Sequence, residues 1–343
     1  MHFRISLILV LFFPYLSFSQ VGGSFSYSSL NLVSSARSLS MGGSIISVVD
    51  DDVSLSSINP SLLNDNLDKR VAFNFVDYVA DINLVSVYVA KKRADNFYLF
   101  FGFDAINYGE FDRIDDVGDD LGTFYPNEQI FTIGVSKYLS SKISMGTNFR
   151  LLNSQLESYD ALVVSSNIGL TYYLEDRLFT SSVLIKNLGV SLERYSQYKE
   201  NLPFEIQLGI SKELKHLPFR YSLVLHHLNK YNISHDFSSS SFFNDLSDEI
   251  NVETKNIAQN LLDHVIIGGE LNPFNKNLYL RCGINFQQRN DLTLNNVLLF
   301  TGFSFGFGVA FSDIQINYSR NSFHTSSMLN SFSVSTNLSK FGL

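Results

Sequence analysis

Cysteine is nearly absent: Cys282 is the one cysteine in 343 residues, so the chain can form no internal disulfide. Tryptophan is missing and proline is rare, with 6 residues. Charge is scarce as well, at 17% Asp, Glu, Lys and Arg, against about 25% in ordinary soluble domains. The charge that exists is mostly negative, giving a formal balance of -8. That excludes the basic surface nucleic acid requires. Beyond the first 19 residues there is no apolar run of about 18, so no transmembrane helix is predicted. Catalytic signatures are missing too. There is no G-x-S-x-G elbow, no H-E-x-x-H and no paired-cysteine zinc spacing. The chain therefore reads as a non-enzyme with no cofactor and no metal site.

What is present points to export and to a membrane. Residues 1–4 are short and basic, residues 5–16 are apolar, and Ser17-Phe18-Ser19 has the small-x-small form of a cleavage site. Residues 1–19 are read as a signal peptide. There are 31 Phe and 17 Tyr. From Arg70 onward the hydrophobic period is two. In PFEIQLGIS, Phe204, Ile206, Leu208 and Ile210 take one face, and Glu205, Gln207, Gly209 and Ser211 the other. LYLRCGINFQ and DIQINYS repeat the pattern. Fourteen such segments fall near residues 70–80, 82–90, 96–108, 127–138, 142–153, 161–174, 178–188, 203–213, 219–229, 263–273, 277–288, 295–309, 313–321 and 327–338. Most have the length of tilted membrane strands, about 9–11 residues, rather than the roughly 5–6 of soluble ones. Their connections mostly alternate short and long, as in outer-membrane barrels. The expected fold is all-β: a 14-stranded antiparallel transmembrane β-barrel over residues 70–343, in the outer membrane, with lipid as its surroundings. Tyr78, Tyr88, Tyr98, Tyr108, Tyr138, Tyr172, Tyr173, Tyr221, Tyr279 and Tyr318 are expected to form interfacial girdles.

The stretch ahead of the barrel is not strand-like. Residues 20–69 are read as a plug or hatch segment for the lumen. Ser34 or Ser35 is placed to cap a short helix from Ala36. Gly42-Gly43 allows a tight turn, and Ile45, Ile46, Val48 and Val49 suggest a short strand. Asp50, Asp51 and Asp52 are expected to cap a second helix that ends at Asn59-Pro60, or else to pair with lumen arginines such as Arg150 or Arg281. As a calcium loop the aspartates fail, because the EF-hand glycine and glutamate positions hold Leu55 and Ser61. A looser calcium site shared with the acidic loop at 109–126 stays open. His226-His227 should point to opposite faces of a strand and so share no ligand. In GFSFGFG (302–308), glycine alternating with phenylalanine leaves one face bare, so the wall can bend or something can pack against it from inside.

The window ARSLSMGGSIISVVDDDVSLSSINPSLL resembles the N-terminal signature of the FadL-like outer-membrane barrels of Bacteroidetes, roughly A-R-x-x-x-M-G-G, then D-D and N-P-A. The matching positions are Ala36, Arg37, Met41, Gly42, Gly43, Asp51, Asp52, Asn59 and Pro60, with Asp50 beside them; Ser61 stands in place of the usual Ala. Within these barrels, GGSFSYSSLNLVSSARS and SVVDDDVSLSSINPSLLN are similar to the PorV/PorQ family, on its PorQ-like side. The resemblance implies a 14-stranded barrel and a part in the type IX secretion system. The implied role is non-enzymatic, anchoring a surface complex of a PorZ-like surface protein, a PorU-like sortase and a PorV-like barrel. Residues of the long loops at 109–126 and 230–262 are the candidates for touching such a partner: Asp112, Asp115, Asp116, Asp119, Asp120, His235, Phe242 and Phe243. The alternative is passive passage of hydrophobic small molecules, as in FadL-like transporters.

Overall fold

A strand that alternates small polar with large apolar residues can face a hydrated interior on one side and lipid on the other. In the computed structural model, which describes residues 26–115, 118–174, 178–195, 200–233, 257–273, 277–291, 300–324 and 327–341, the chain from Arg70 does this. Fourteen strands pair antiparallel and close into a barrel. They are β1 (Arg70–Asp77), β2 (Asn83–Ala94), β3 (Phe97–Asn107), β6 (Asn127–Ser140), β7 (Ile143–Leu156), β8 (Tyr159–Leu174) and β9 (Phe179–Glu193), followed by β10 (Glu205–Glu213), β11 (Phe219–Leu225), β12 (Val265–Leu271), β13 (Leu278–Asn285), β14 (Phe303–Phe311), β15 (Ile314–His324) and β16 (Ser327–Asn337). The seam joins the first and last strands, with Arg70 opposite Asn337 and Asp77 opposite Asn330. Both barrel termini therefore lie at the end that carries the short turns.

All fourteen expected segments are strands, but several edges moved. The segment expected to run to 188 continues to Glu193, and that expected at 219–229 stops at Leu225. The stop has a local cause: His227 has φ 54 and cannot continue an extended chain. The segment expected at 295–309 is strand from Phe303; residues 292–299 are outside the described residues. The acidic loop at 109–126 is not a plain loop. It holds a hairpin, β4 (Phe111–Ile114) against β5 (Asp120–Phe124), closed by the stacked rings of Phe111 and Phe124.

Outward positions are large and apolar around the whole wall: Phe101, Phe131, Phe149, Val183, Leu208, Leu280, Phe305 and Phe332 are all exposed. So wide a belt belongs in lipid, not water. Inward positions are small and polar, as at Ser86, Asn148, Ser165 and Ser331, and are buried. Several tyrosines expected in the girdle face inward instead. Tyr88 and Tyr98 are buried, with hydroxyls bonded to Ser34 and Asp65 of the N-terminal segment. Tyr172 and Tyr221 do face out. Strand ends show the girdle's height but not its facing, because one residue of register reverses the face.

Residues 26–69 fill the lumen. They make a 3-10 turn (Ser28–Asn31), α1 (Ala36–Ser40), α2 (Leu55–Ile58) and two further 3-10 turns (Pro60–Leu62, Asp65–Leu67). Ser35 caps α1, accepting from the Ser38 amide, as its sequence position suggests. Ile45, Ile46, Val48 and Val49 form no strand; Ile45 and Ile46 are fully buried and Val48 and Val49 pack in the same interior. The apolar core lies between this segment and the wall, as where Ile46 meets Leu184, Val224 and Ile266. Near the long-loop end sit α3 (Ile257–Asp263) and α4 (Phe286–Asp291). Among the described residues, no helix is long and apolar enough to cross a membrane.

Candidate functional site in the barrel lumen

A segment without regular structure must find partners for its backbone in the wall around it. The wall supplies them. Asn148 Nδ2 donates to the Ser56 and Ser57 carbonyls (3.0 and 3.1 Å), Asn167 Nδ2 to Ile58 (3.3 Å) and Asn321 Nδ2 to Leu39 (2.8 Å). Arg150 donates to the Leu30 carbonyl at 2.8 Å. Ser333 and Ser304 accept from the Ala36 and Gly42 amides, each at 2.9 Å. This is why the inner face is polar although no open channel needs it.

Bare positions let the segment approach. A Cβ at Gly146 would stand 2.6 Å from the Pro60 carbonyl carbon, and one at Gly306 would stand 2.5 Å from Ser40 Cβ. One at Gly283 would overlap the Met41–Gly42 peptide, and one at Gly169 the Asn59 amide. The bare face of GFSFGFG is thus where α1 packs. Gly42 and Gly43 both take positive φ, at 94 and 92, so the chain turns where β-carbons would be strained. Asn59 is fully buried: its Nδ2 donates to Ile46 (2.7 Å) and its Oδ1 accepts from the Ser61 amide (3.1 Å) and hydroxyl (2.7 Å). Pro60 sits in the first turn that follows. Ala36 and Met41 are buried beside them.

The three aspartates do different things. Asp50 Oδ2 meets Arg37 Nη2 at 2.7 Å and Arg220 Nη1 at 2.9 Å. Asp52 is buried 3.9 Å from Arg37 Nη1, and its Oδ1 accepts from the Ser54 amide. Asp51 pairs with Arg70 at 2.7 Å and is 46% exposed. None forms the side-chain cap of α2, whose N-cap is Ser54. The expected partners Arg150 and Arg281 are not theirs. Arg281 instead donates from Nε to Glu270 at 2.7 Å. Glu270 also takes both forks of Arg37 (3.0 and 2.9 Å) and Nη1 of Arg220 (3.2 Å). Arg37, Arg220 and Arg281 thus face Asp50, Asp52 and Glu270, with Glu213 on Arg220 Nη2 at 3.1 Å as a fourth carboxylate. Burial alone would raise the Asp50 carboxyl, but the Arg37 and Arg220 charges override it and hold it well below the usual range; burial pushes Asp52 up. Beneath this cluster a charged cavity of about 850 Å³ opens at the short-turn end, lined also by Asp65, Asp68 and Glu213.

The long-loop end is built differently. In β9, Lys186 and Asn187 together oppose Asn167 of β8, a bulge that turns both side chains inward, with Asn187 at φ 56. Pairing of β9 with β10 reaches only to Lys186 opposite Glu205. Above it, Leu188, Val190 and Leu192 are exposed and unpaired to β10 among the described residues. The left-handed His227 likewise brings its ring to the same side as that of His226, so the expected opposite facing is wrong: their Nδ1 atoms are 2.6 Å apart. Glu205 Oε1 lies 3.5 Å from His227 Nδ1, and Glu205 Oε2 lies 3.4 Å from Lys186 Nζ. A strict two-residue period could not anticipate this, because the signal is a backbone dihedral. A cavity of about 220 Å³ adjoins these groups, lined also by Leu32, Val33, Ile58 and Ile266.

The partner-loop candidates are only partly gathered. Asp112, Asp119 and Asp120 are exposed on the β4–β5 hairpin or its turn. Asp115 Oδ1 accepts from the Asp119 amide at 2.8 Å. Asp116, His235, Phe242 and Phe243 lie outside the described residues. The hairpin rises at the long-loop end and Asp50–Asp52 lie at the other, so no calcium site joins them. The hairpin also carries apolar residues the acidic reading passed over: Phe111, Ile114 and Leu121 are exposed, as is Tyr125 just past β5.

The geometry defines a class: a closed fourteen-stranded β-barrel with an apolar outer belt, whose lumen holds residues 26–69 of its own chain. No family model matches the chain. No curated protein matches it either. Solved barrels do. The toluene transporter TbuX of Ralstonia pickettii has 11% identity and TM-score 0.48, covering 90% of this chain and 99% of its own. The toluene transporter TodX of Pseudomonas putida has 13% identity and TM-score 0.48, covering 87% and 95%. A FadL homologue of Pseudomonas aeruginosa has 10% identity and TM-score 0.49, covering 89% and 98%.

Proposed function

We propose that this chain is a non-enzymatic outer-membrane barrel that anchors a protein partner at the cell surface, with the short-turn end in the periplasm and the long-loop end outside. The observation that carries this reading is the β4–β5 hairpin, which holds Phe111, Ile114, Leu121 and Tyr125 in the open beyond the wall. Apolar groups held away from lipid and core mark a docking surface. The lumen packed by residues 26–69 agrees with an anchor, since little free passage is left. At the finer level the partner is a type IX surface component, PorZ-like, with PorU-like and PorV-like neighbours; this rests on the resemblance of residues 36–60. The test is a pull-down from outer membranes using the intact chain and one with residues 111–124 replaced by a short turn. Recovery of a type IX partner with the intact chain only is the expected result. Equal recovery with both removes the hairpin from the reading, and no type IX partner with either removes the system.

A second reading, passage of a small hydrophobic molecule, is favoured by the interruption between β9 and β10. There β9 above Lys186 is unpaired to β10 among the described residues, beside the partly apolar cavity of about 220 Å³. It is the role named for TbuX and TodX. Loss of uptake of a monoaromatic compound in a deletion strain with normal protein secretion would establish this reading and displace the first.

A further inference from the structure

The groups around Glu205 are more than a buried ion pair requires. Three side chains that ligate metals, Glu205, His226 and His227, each place one ligand atom within 4.8 Å of the others. They come from two strand ends, and the convergence depends on a left-handed histidine, His227 at φ 54. A non-glycine residue in that region costs about 1–3 kcal/mol and persists where the surroundings enforce it. The same turn returns the Leu228 amide to the Ile206 carbonyl of β10 and closes the Lys230 amide on the His227 carbonyl, each at 3.0 Å, so the ring is held in place by the backbone on both sides.

The hydrogen-bonding state of the two rings is equally pointed. Two Nδ1 atoms at 2.6 Å must either share one proton or turn both lone pairs toward one cation. His226 is 3% exposed, yet its Nε2 has no partner among the described residues. A carboxylate next to them supplies negative charge, and Gln207 Nε2 donates to its Oε1 at 2.6 Å. That is the supporting bond a ligating carboxylate usually has. The adjoining cavity leaves room for water at the remaining position.

We propose that Glu205, His226 and His227 form a binding site for a divalent transition-metal ion of the zinc class, with water completing the coordination. Two imidazoles and a carboxylate are the donor set such an ion prefers over calcium or magnesium. With metal–nitrogen bonds of about 2.0–2.1 Å in a tetrahedral site, the two Nδ1 atoms would separate to about 3.3 Å. The 25% exposed His227 ring has the freedom to make that small move. Lys186 is the competing cation, held to the far oxygen of Glu205. The ion would tie the first residue of β10 to the root of the longest connection. The other root is already fastened there, because His264 Nδ1 bonds the His226 carbonyl at 2.7 Å. The site stands apart from the anchoring reading and survives its failure.

The experiment is calorimetric titration of Zn2+ into the untagged, chelator-treated barrel in detergent, with Co2+ absorption as a second readout on the unaltered protein. One ion per chain and an intense visible Co2+ band from a low-symmetry site are expected. Glu205→Gln and His227→Ala should each weaken Zn2+ binding at least tenfold, whereas Lys186→Met should strengthen it. His216→Ala, in the turn after β10, should leave it unchanged. Absence of a saturable Zn2+ isotherm and of the Co2+ band in the unaltered protein overturns the proposal without recourse to any variant. So does binding that His216→Ala abolishes and His227→Ala leaves intact.

Discussion

The two ends of the lumen use charge in opposite ways. At the short-turn end, three arginines meet four carboxylates, and Glu270 by itself accepts from Arg37, Arg220 and Arg281. At the long-loop end, one carboxylate faces a lysine and two histidines, two non-glycine residues sit in the left-handed region, and an imidazole nitrogen has no described partner. The first end shares its arginines among several carboxylates and ties the plug to the wall through Arg37 and Asp50. The second keeps spare ligand capacity. Buried charges that share partners act as a lock, because removing one partner strands the others.

The comparison can be broken most forcefully at Arg37. Arg37→Met leaves Asp50 and Glu270 short of a partner, and a cost of about 3–5 kcal/mol is expected. Thermal unfolding in detergent should show it as a large fall in Tm, and a fall no greater than that of a surface lysine variant would mean the cluster is not a lock. Next comes Asn59→Ala, which removes the acceptor of Ser61 and the donor to Ile46; about 1–3 kcal/mol is expected, with protease cutting within residues 26–69 as a second readout. Acid should act through Asp50. Its folded value lies below the ordinary 3.8, so its contribution is complete above that pH and is lost as pH falls through the lower folded value. Asp52, raised by burial, works the other way and offsets part of this. A Tm profile over acid pH should therefore drop below the carboxylate range, and Asp50→Asn should flatten that drop. The smallest effect is expected from Asp51→Ala, whose partner contact is solvent-screened and worth under about 1 kcal/mol. Comparing the single aspartate variants sharpens the expectation for all three together: Asp50 should dominate and Asp51 should barely register.

The barrel was legible because its signal is repeated fourteen times. Any one strand, such as 203–213, could have been a sandwich edge; the alternating connections made the set a barrel. The plug motif was legible as a unit, since Gly42-Gly43, Asn59-Pro60 and the Ser35 cap are local devices. The partners of Asp50 were not legible. Arg220 is 170 positions away, and Glu270, which competes for the same arginines, lies 233 positions from Arg37; pairing depends on which wall residues face inward at one height. The hairpin was hidden by composition: acidic residues drew attention away from Phe111 and Phe124, whose stacking closes it. The His226–His227 convergence was hidden by assuming the strand persists, when a single dihedral ends it.

The plug runs once through the barrel. Tyr27 lies by Ser191 toward one end, and Lys69 leads into β1 at the other. Its amide at Ala36 is held by Ser333, 297 residues later and in the seam itself, where it lies opposite Asn74 of β1. Closure of β1 on β16 and seating of the plug are thus coupled, because the same strand that completes the ring also holds the segment inside it. An empty barrel would leave the Asn148, Asn167 and Asn321 side-chain amides without the plug carbonyls they donate to, so the inner face of the wall is complete only with its own N-terminal segment in place.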